Sequence, residues 1–239
     1  MSYALVDIGN TSIKAKVFDD SNQSFTVTIG RHIDALLLFF TQLNIDNYLI
    51  SSVVPSLNKQ INSFNKPNIQ FLDHSYFNGL SVKVDPIESV GIDRLVNAIA
   101  IKHQYKQDAI IIDIGTCVTF CHIKQTGDYY GGIIMPGFEM VRNALYSGAE
   151  QLPLVQFPDA PPKLVGNSTV SAMESGIFYG AIHMINGVVN ELRSRLGHLK
   201  VILTGGAPSA LLNKIDHDDF NPNLQFDGLE ILFKDNVRH

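Results

Sequence analysis

Asp7 closes an apolar run, Tyr3-Ala4-Leu5-Val6, and is followed by Ile8, Gly9, Asn10, Thr11, Ser12, Ile13 and Lys14. Glycine in such a turn lets the main chain come close to a ligand and aim N–H groups at it. Asn10, Thr11 and Ser12 add neutral hydrogen-bonding groups, and Lys14 adds a cation. A carboxylate fits beside phosphate when a divalent cation stands between them, and Mg²⁺ is commonly held by one or two carboxylates plus phosphate oxygens. The stretch therefore reads as a Mg²⁺-phosphate cradle. Taken as one copy, it reads more simply as a plain hairpin with an Asx-type turn at Asp7. A second copy reverses that preference. Ala109–Asp113 is again an apolar run ending in an acid, and Ile114, Gly115 and Thr116 follow. Thr116 and Thr119 supply hydroxyls where the first copy has Asn10 and Thr11, but no lysine follows, so the two copies have unequal roles. Two such hairpins can grip a polyphosphate from both sides.

Gly91-Ile92-Asp93-Arg94 is a third constellation. An acid in a first helical turn is favourable with the helix dipole, which alone accounts for Asp93. The same pair also reads as a proton acceptor for a hydroxyl nucleophile and a clamp for a substrate carboxylate. Gly205-Gly206 reads equally as a surface for a flat base and as a plain strand-to-helix turn.

These groups need elements to hold them. Alternation and apolar runs predict strands over 2–7, 12–18 and 25–29, then a helix capped by Asp34 and running through Leu43. A strand over 47–55, a helix over 56–65 and a short strand over 69–72 follow. Residues 73–90 read as a loop with one short strand at 81–84. Ile92, Leu95, Val96, Ile99 and Ala100 recur at helical spacing, which puts Gly91 and Asp93 at a helix start. The plan then begins again, with strands over 109–113, 116–123 and 130–135, a tight turn at 125–128 and a helix over 138–145. After a Pro-rich loop at 151–168, a long helix spans 169–196, with Ile177, Ala181, Met184, Val188 and Leu192 on one side. Gly176, Gly180 and Gly187 in it suggest close approach of another backbone. Residues 200–208 form a strand ending in a Gly-Gly turn, and the C-terminal stretch reads as a short helix or strand. Asp7 and Asp113 lie 106 residues apart, and a repeat of that length means two similar lobes.

The chain has 239 residues, 45% hydrophobic and 17% charged, a globular composition with a real core. A net charge of −5 gives no support to a nucleic-acid or membrane-surface partner. No targeting segment is visible, and the apolar runs are too short to span a bilayer. Cys117 and Cys121, four apart in a strand, read as small core residues of a cytoplasmic protein.

Together these motifs resemble the type III pantothenate kinases, a family of the actin–sugar kinase–Hsp70 superfamily. The resemblance runs over essentially the whole length. It rests on DIGNTSIK at 7–14, ISSVVP at 50–55, GIDR at 91–94, DIGT at 113–116, GGIIMPG at 131–137, STVSAMESG at 168–176 and TGGAP at 204–208. It implies an α/β fold of two ribonuclease-H-like, actin-like ATPase lobes, 1–106 and 107–239, with the nucleotide site in the cleft between them. The implied reaction is ATP-dependent phosphorylation of the primary hydroxyl of pantothenate to 4′-phosphopantothenate, the first step of coenzyme A biosynthesis. By the same resemblance, Asp7, Ile8, Gly9, Asn10, Thr11, Ser12, Ile13 and Lys14 would hold the ATP phosphates, with Asp7 near Mg²⁺. Thr116 would contact ATP, and Asp113 would ligate a monovalent cation, K⁺ or ammonium. Gly91, Ile92, Asp93 and Arg94 would bind pantothenate with Asp93 as proton acceptor, and Thr169 would contact the same substrate. The family is a homodimer, and the helix over 169–196 is the candidate for part of its interface.

The chain departs from the family in two places. VKVDPIESVG at 82–91 lacks a tyrosine that many members carry there and has one residue inserted between Pro86 and Gly91. Val118 and Cys121 stand where relatives often have Thr and Asp. The hairpins alone also fit a kinase for a sugar or short acid, or a nucleotide-binding regulator without turnover. Gly91–Arg94 and Thr169 carry the choice of pantothenate, and Asp7 together with Asp93 argues for a working enzyme.

Overall fold

The computed structural model describes every residue except 31, 65, 207, 238 and 239. Strands β1 (Tyr3–Ile8) and β2 (Ile13–Phe18) form an antiparallel hairpin that β3 (Ser24–Ile29) extends. Their apolar residues drive this. β1 is buried along nearly its whole length, and Ile13, Ala15 and Val17 of β2 alternate inward against Lys14 and Lys16. On its other side β1 runs parallel to β4 (Asn47–Ser52), and β5 (Ile69–Phe71) completes the order β3-β2-β1-β4-β5. Helices α1 (Ile33–Gln42) and α2 (Pro55–Ser63) cover one face. Leu36, Phe39, Phe40, Leu57 and Ile61 share a core with Ala4, Val6, Ile8 and Ile50.

After two 3₁₀ turns (His74–Phe77 and Ile87–Ser89) and the two-residue strand β6 (Ser81–Val82) comes α3 (Ile92–Gln104). The second sheet contains β7 (Ala109–Ile114), β8 (Cys117–Ile123), β9 (Asp128–Pro136), β10 (Lys200–Gly205) and β11 (Asp219–Phe220). Its order, β11-β10-β7-β8-β9-β6, repeats that of the first sheet when read from β9 to β11, with β6 added at the edge. Helices α4 (Phe138–Gly148), α5 (Thr169–Leu196), α6 (Ser209–Leu212) and α7 (Leu224–Val237) complete the chain.

Contacts divide the chain into two units. One comprises Met1–Lys106, Ile123–Gly131 and Asn223–His239, and the other Gln107–His122 and Gly132–Pro222. The C-terminal helix α7 thus belongs with the N-terminal residues. Phe233 of α7 stacks on Tyr3 of β1, ring centroids 4.2 Å apart, and Tyr3 stacks on Phe18 at 4.4 Å. Gly228 brings α7 against α3 so closely that a Cβ there would lie 2.1 Å from the Val96 carbonyl oxygen.

Several elements differ in detail from the sequence reading. Asp34 lies inside the first turn of α1, whose N-cap is His32. β4 ends at Ser52 because Pro55 opens α2 at the helix position where a missing N–H costs nothing. Position 65, the expected end of that helix, lies outside the described residues, as does position 207 in the Gly-Gly turn. α5 has the expected span, and Ile177 and Ala181 are buried as expected, but the buried face continues through Phe178, Ile182, Ile185 and Val189, while Met184, Val188 and Leu192 are only partly buried. Over Gly176, Gly180 and Gly187 the space is open, so no described backbone of this chain approaches them. Cys121 is buried, whereas Cys117 is partly exposed at a hairpin tip, 3.9 Å from the Met140 sulfur. The C-terminal stretch holds both a short strand and a 14-residue helix. Among the described residues no helix is long and apolar enough to cross a membrane.

Gly228→Ala would drive a methyl into the Val96 carbonyl and force α7 from α3. The variant should lose about 1–3 kcal/mol, the usual cost of overpacking, read as a lower midpoint in thermal or urea unfolding. An unchanged midpoint would show that the two helices can part freely.

Candidate active site

The first hairpin tip is built by pairing. Ile8 faces Ile13 across the turn, and the Gly9 N–H donates to the Ser12 carbonyl at 3.0 Å, closing residues 9–12 into a loop. That amide holds the turn, so a ligand would meet other groups. Asn10, Thr11 and Lys14 are exposed, while Ile8 and Ile13 are fully buried and offer a ligand main chain only. Asp7 pairs in register with Lys14 on β2 and with Ser51 on β4. Ser51 is fully buried. Gln225, in the first turn of α7, donates from Nε2 to Asp7 Oδ1 at 3.4 Å and to Ser51 Oγ at 3.2 Å.

The second tip is two residues shorter. β7 ends at Ile114 and β8 begins at Cys117, and the Gly115 N–H donates to the Cys117 carbonyl at 2.9 Å. Thr116 alone occupies the place expected for two hydroxyls, because Thr119 lies within β8. Gly137 fixes this tip from outside. Its N–H donates to the Thr116 carbonyl at 3.1 Å, and a Cβ there would lie 2.4 Å from the carbonyl oxygens of Gly115 and Thr116. Asp113 pairs with Thr204, 3% exposed, as Asp7 pairs with Ser51. Gly205 has φ +89°, and a Cβ on it would lie 2.5 Å from Asp113 Oδ1 and 2.4 Å from the Ile114 oxygen. Its backbone therefore lies against the carboxylate, which only glycine permits.

Gly91 is the N-cap of α3 and makes no side-chain cap bond. The Asp93 carboxylate fills that place, since Oδ1 accepts the Arg94 N–H at 2.8 Å and sits where a Gly91 Cβ would be, 2.5 Å away. Burial raises the Asp93 pKa above the usual 3.8, and the Arg94 N–H and the Arg94 charge pull in the opposite direction. The Arg94 guanidinium lies 5.9 Å from the ring centroid of Tyr129, which is fully buried. His74 Nε2 donates to the Val90 carbonyl at 3.0 Å and ties the preceding loop to the start of α3. Thr169 is the first residue of α5 and is exposed. Behind it Ser168 and Ser171 form a reciprocal capping box, with bonds of 3.2 and 3.0 Å.

The structure thus gathers Asp7, the tip 9–12 and Gly91–Arg94 in the first unit, and Asp113, Thr116 and Thr169 in the second. The sequence reading did not single out Gln225, Thr204 or Tyr129. Thr204 was within reach of the internal repeat, because it occupies in β10 the register position of Ser51 in β4.

Paired hairpin tips on two sheets of identical strand order define the fold of the actin–sugar kinase–Hsp70 superfamily. Two solved structures share it. A Campylobacter jejuni protein described as a Baf family transcriptional activator has a TM-score of 0.65 at 22% identity, covering 99% of this chain and 100% of its own. A Sinorhizobium meliloti protein described as a 2-dehydro-3-deoxygalactonokinase has a TM-score of 0.60 at 12% identity, covering 98% and 99%. The family model for type III pantothenate kinase matches residues 4–191. A type III pantothenate kinase from Listeria welshimeri is 34% identical over 97% of this chain and 96% of its own length. The chain belongs to the type III pantothenate kinase family.

A carboxyl whose pKa is higher folded than unfolded binds extra protons in the folded state. It subtracts stability as pH rises from the unfolded value through the folded one, and the full loss persists above that. Asp93→Asn should therefore melt at a higher temperature than the parent at pH 7. The gain should shrink as pH falls toward 3.8 and vanish below it. Thermal unfolding of both proteins across that range checks this, and a gain that does not depend on pH would contradict it.

Proposed function

We propose that this chain catalyses its family's reaction, the ATP-dependent phosphorylation of pantothenate in coenzyme A biosynthesis, with Asp93 as the proton acceptor. The observation that carries the mechanism is the Asp93 carboxylate. It is held over Gly91 at the start of α3, raised in proton affinity by burial, with Arg94 next in sequence. A base of raised proton affinity takes a hydroxyl proton more readily. Arg94, with its guanidinium near the buried Tyr129 ring, is suited to the pantothenate carboxylate. Thr169 gives a second, hydroxyl contact.

The exposed Asn10, Thr11 and Lys14 bind phosphate oxygens on the first tip, and Thr116 contacts ATP on the second. Among the described residues no group of three or more His, Cys, Asp or Glu is placed to hold a metal ion. Asp7 would be the carboxylate that holds a divalent ion against the phosphates, and a carboxylate oxygen suits Mg²⁺. When bound, Mg²⁺ neutralises charge on the transferring phosphoryl group. Asp113, with the Gly205 backbone against its carboxylate, would be the oxygen ligand for K⁺ or ammonium. A homodimer is supported by the open face over Gly176, Gly180 and Gly187. It is also supported by α4, whose residues are nowhere fully buried and which exposes Met140 and Tyr146. The free cysteines suit a reducing cytoplasm.

The test is ADP release with Mg²⁺-ATP, with and without pantothenate, in K⁺ and in Na⁺ buffer. Release should require pantothenate and K⁺, and release independent of pantothenate would point to another acceptor. Asp93→Asn should lower kcat by roughly 10²-fold or more while ATP still binds, and near-normal turnover would remove the base role. Asp113→Ala should erase the response to K⁺, and a variant still stimulated by K⁺ would put the cation elsewhere.

A further inference from the structure

Gln225 lies outside the segment that the family model matches, on a helix that returns to the N-terminal sheet. Its amide reaches two groups that sit side by side on β1 and β4, Asp7 Oδ1 at 3.4 Å and Ser51 Oγ at 3.2 Å. The other end of the same amide, Oε1, is buried and has no hydrogen-bond partner among the described residues. A buried acceptor without a partner is destabilising, so an apolar side chain would serve packing better at this position. An amide kept there at that cost points to a role beyond packing.

We infer that Gln225 is a positioning residue for the phosphoryl transfer, orienting the Asp7 carboxylate through its Nε2 donor. The inference rests on the reading of Asp7 as the carboxylate that shares Mg²⁺ with the ATP phosphates. Asp7 is the last residue but one of β1, beside an exposed tip. A donor fixed on a helix limits how that carboxylate can turn. The helix that presents the donor is itself anchored. Three residues on from Gln225, Gly228 lies against the Val96 carbonyl of α3, one helical turn after Asp93. Gln104 of α3 also donates to Asp227 at 3.0 Å. One turn of α7 thus sets Asp7 through Gln225 and α3, whose first turn holds Asp93, through Gly228.

The test compares the full-length parent with Gln225→Met, which keeps the length and removes the amide, and Gln225→Leu as a second apolar variant. The Mg²⁺ concentration for half-maximal rate at fixed ATP should rise about three- to tenfold, the scale of losing one ordinary hydrogen bond. The KM for pantothenate should stay within about twofold of the parent, because the Gly91–Arg94 site is untouched. Binding of Mn²⁺ in the presence of ATP, followed by the loss of the free-ion electron paramagnetic resonance signal, should weaken by the same factor without any turnover. Unchanged Mg²⁺ and Mn²⁺ responses in both variants would overturn the inference. So would a uniform loss in which pantothenate KM and unfolding midpoint move together with no selective effect on the metal. Asp7→Asn separates the two readings. If it retains the parent's Mg²⁺ dependence, the assignment of Asp7 fails. If it loses that dependence while the Gln225 variants keep it, only the role of Gln225 fails.

Discussion

The constraint on which this structure depends is a strand register used twice. In each sheet the first strand runs parallel to the strand beyond the first crossover, and the residue beside the tip carboxylate is small, buried and hydroxylated. The pairs are Asp7 with Ser51 and Asp113 with Thr204. A slip of one residue in either pairing would turn the carboxylate to the other face of its sheet. The apolar residues on those strands oppose the slip, because Ile8, Ile50, Ile112 and Leu203 could not change faces without leaving the clusters in which they pack. Site geometry and core packing are thus two consequences of one alignment.

On that shared frame the two tips have diverged. The first is a four-residue loop with an exposed lysine following it, and the second is a two-residue loop gripped by glycines from outside. A longer tip with mobile polar side chains can follow a flexible phosphate chain. A short tip whose carbonyls are crowded by Gly137 and Gly205 is a more rigid, oxygen-rich setting, the kind that suits a weakly hydrated monovalent ion. The glycines at 137 and 205 are explained by this crowding alone, since a Cβ at either position would overlap backbone oxygen.

Much of this was legible in the sequence, and what was missed has physical reasons. The hairpins, α3 and the span of α5 are local patterns, carried by alternation, by helical spacing and by a Ser-x-x-Ser cap at 168–171. The buried face of α5 was placed correctly at Ile177 and Ala181 and about one residue off beyond them, because Met184, Val188 and Leu192 are as apolar as the residues that are in fact buried. α7 was under-read because Gly228 breaks the helical pattern, and the reason for a glycine there is a carbonyl more than a hundred residues away in sequence. Gln225 was missed for the same reason. No local pattern reveals that an amide will meet Asp7, so the contact exists only through the topology.

The return of α7 to the N-terminal sheet has a consequence for how the protein is made. A nascent chain can build the first hairpin and its helices once the first hundred or so residues are exposed, since domains tend to fold in order of synthesis. It cannot finish them. Phe233, Gly228 and Gln225, which cover Tyr3, seat α3 and reach Asp7, emerge only about two hundred residues after the first hairpin. Until then the apolar underside of the first sheet is open to chaperones. A chain stopped before Leu224 would carry every residue of the two hairpins yet lack the helix that completes the first of them.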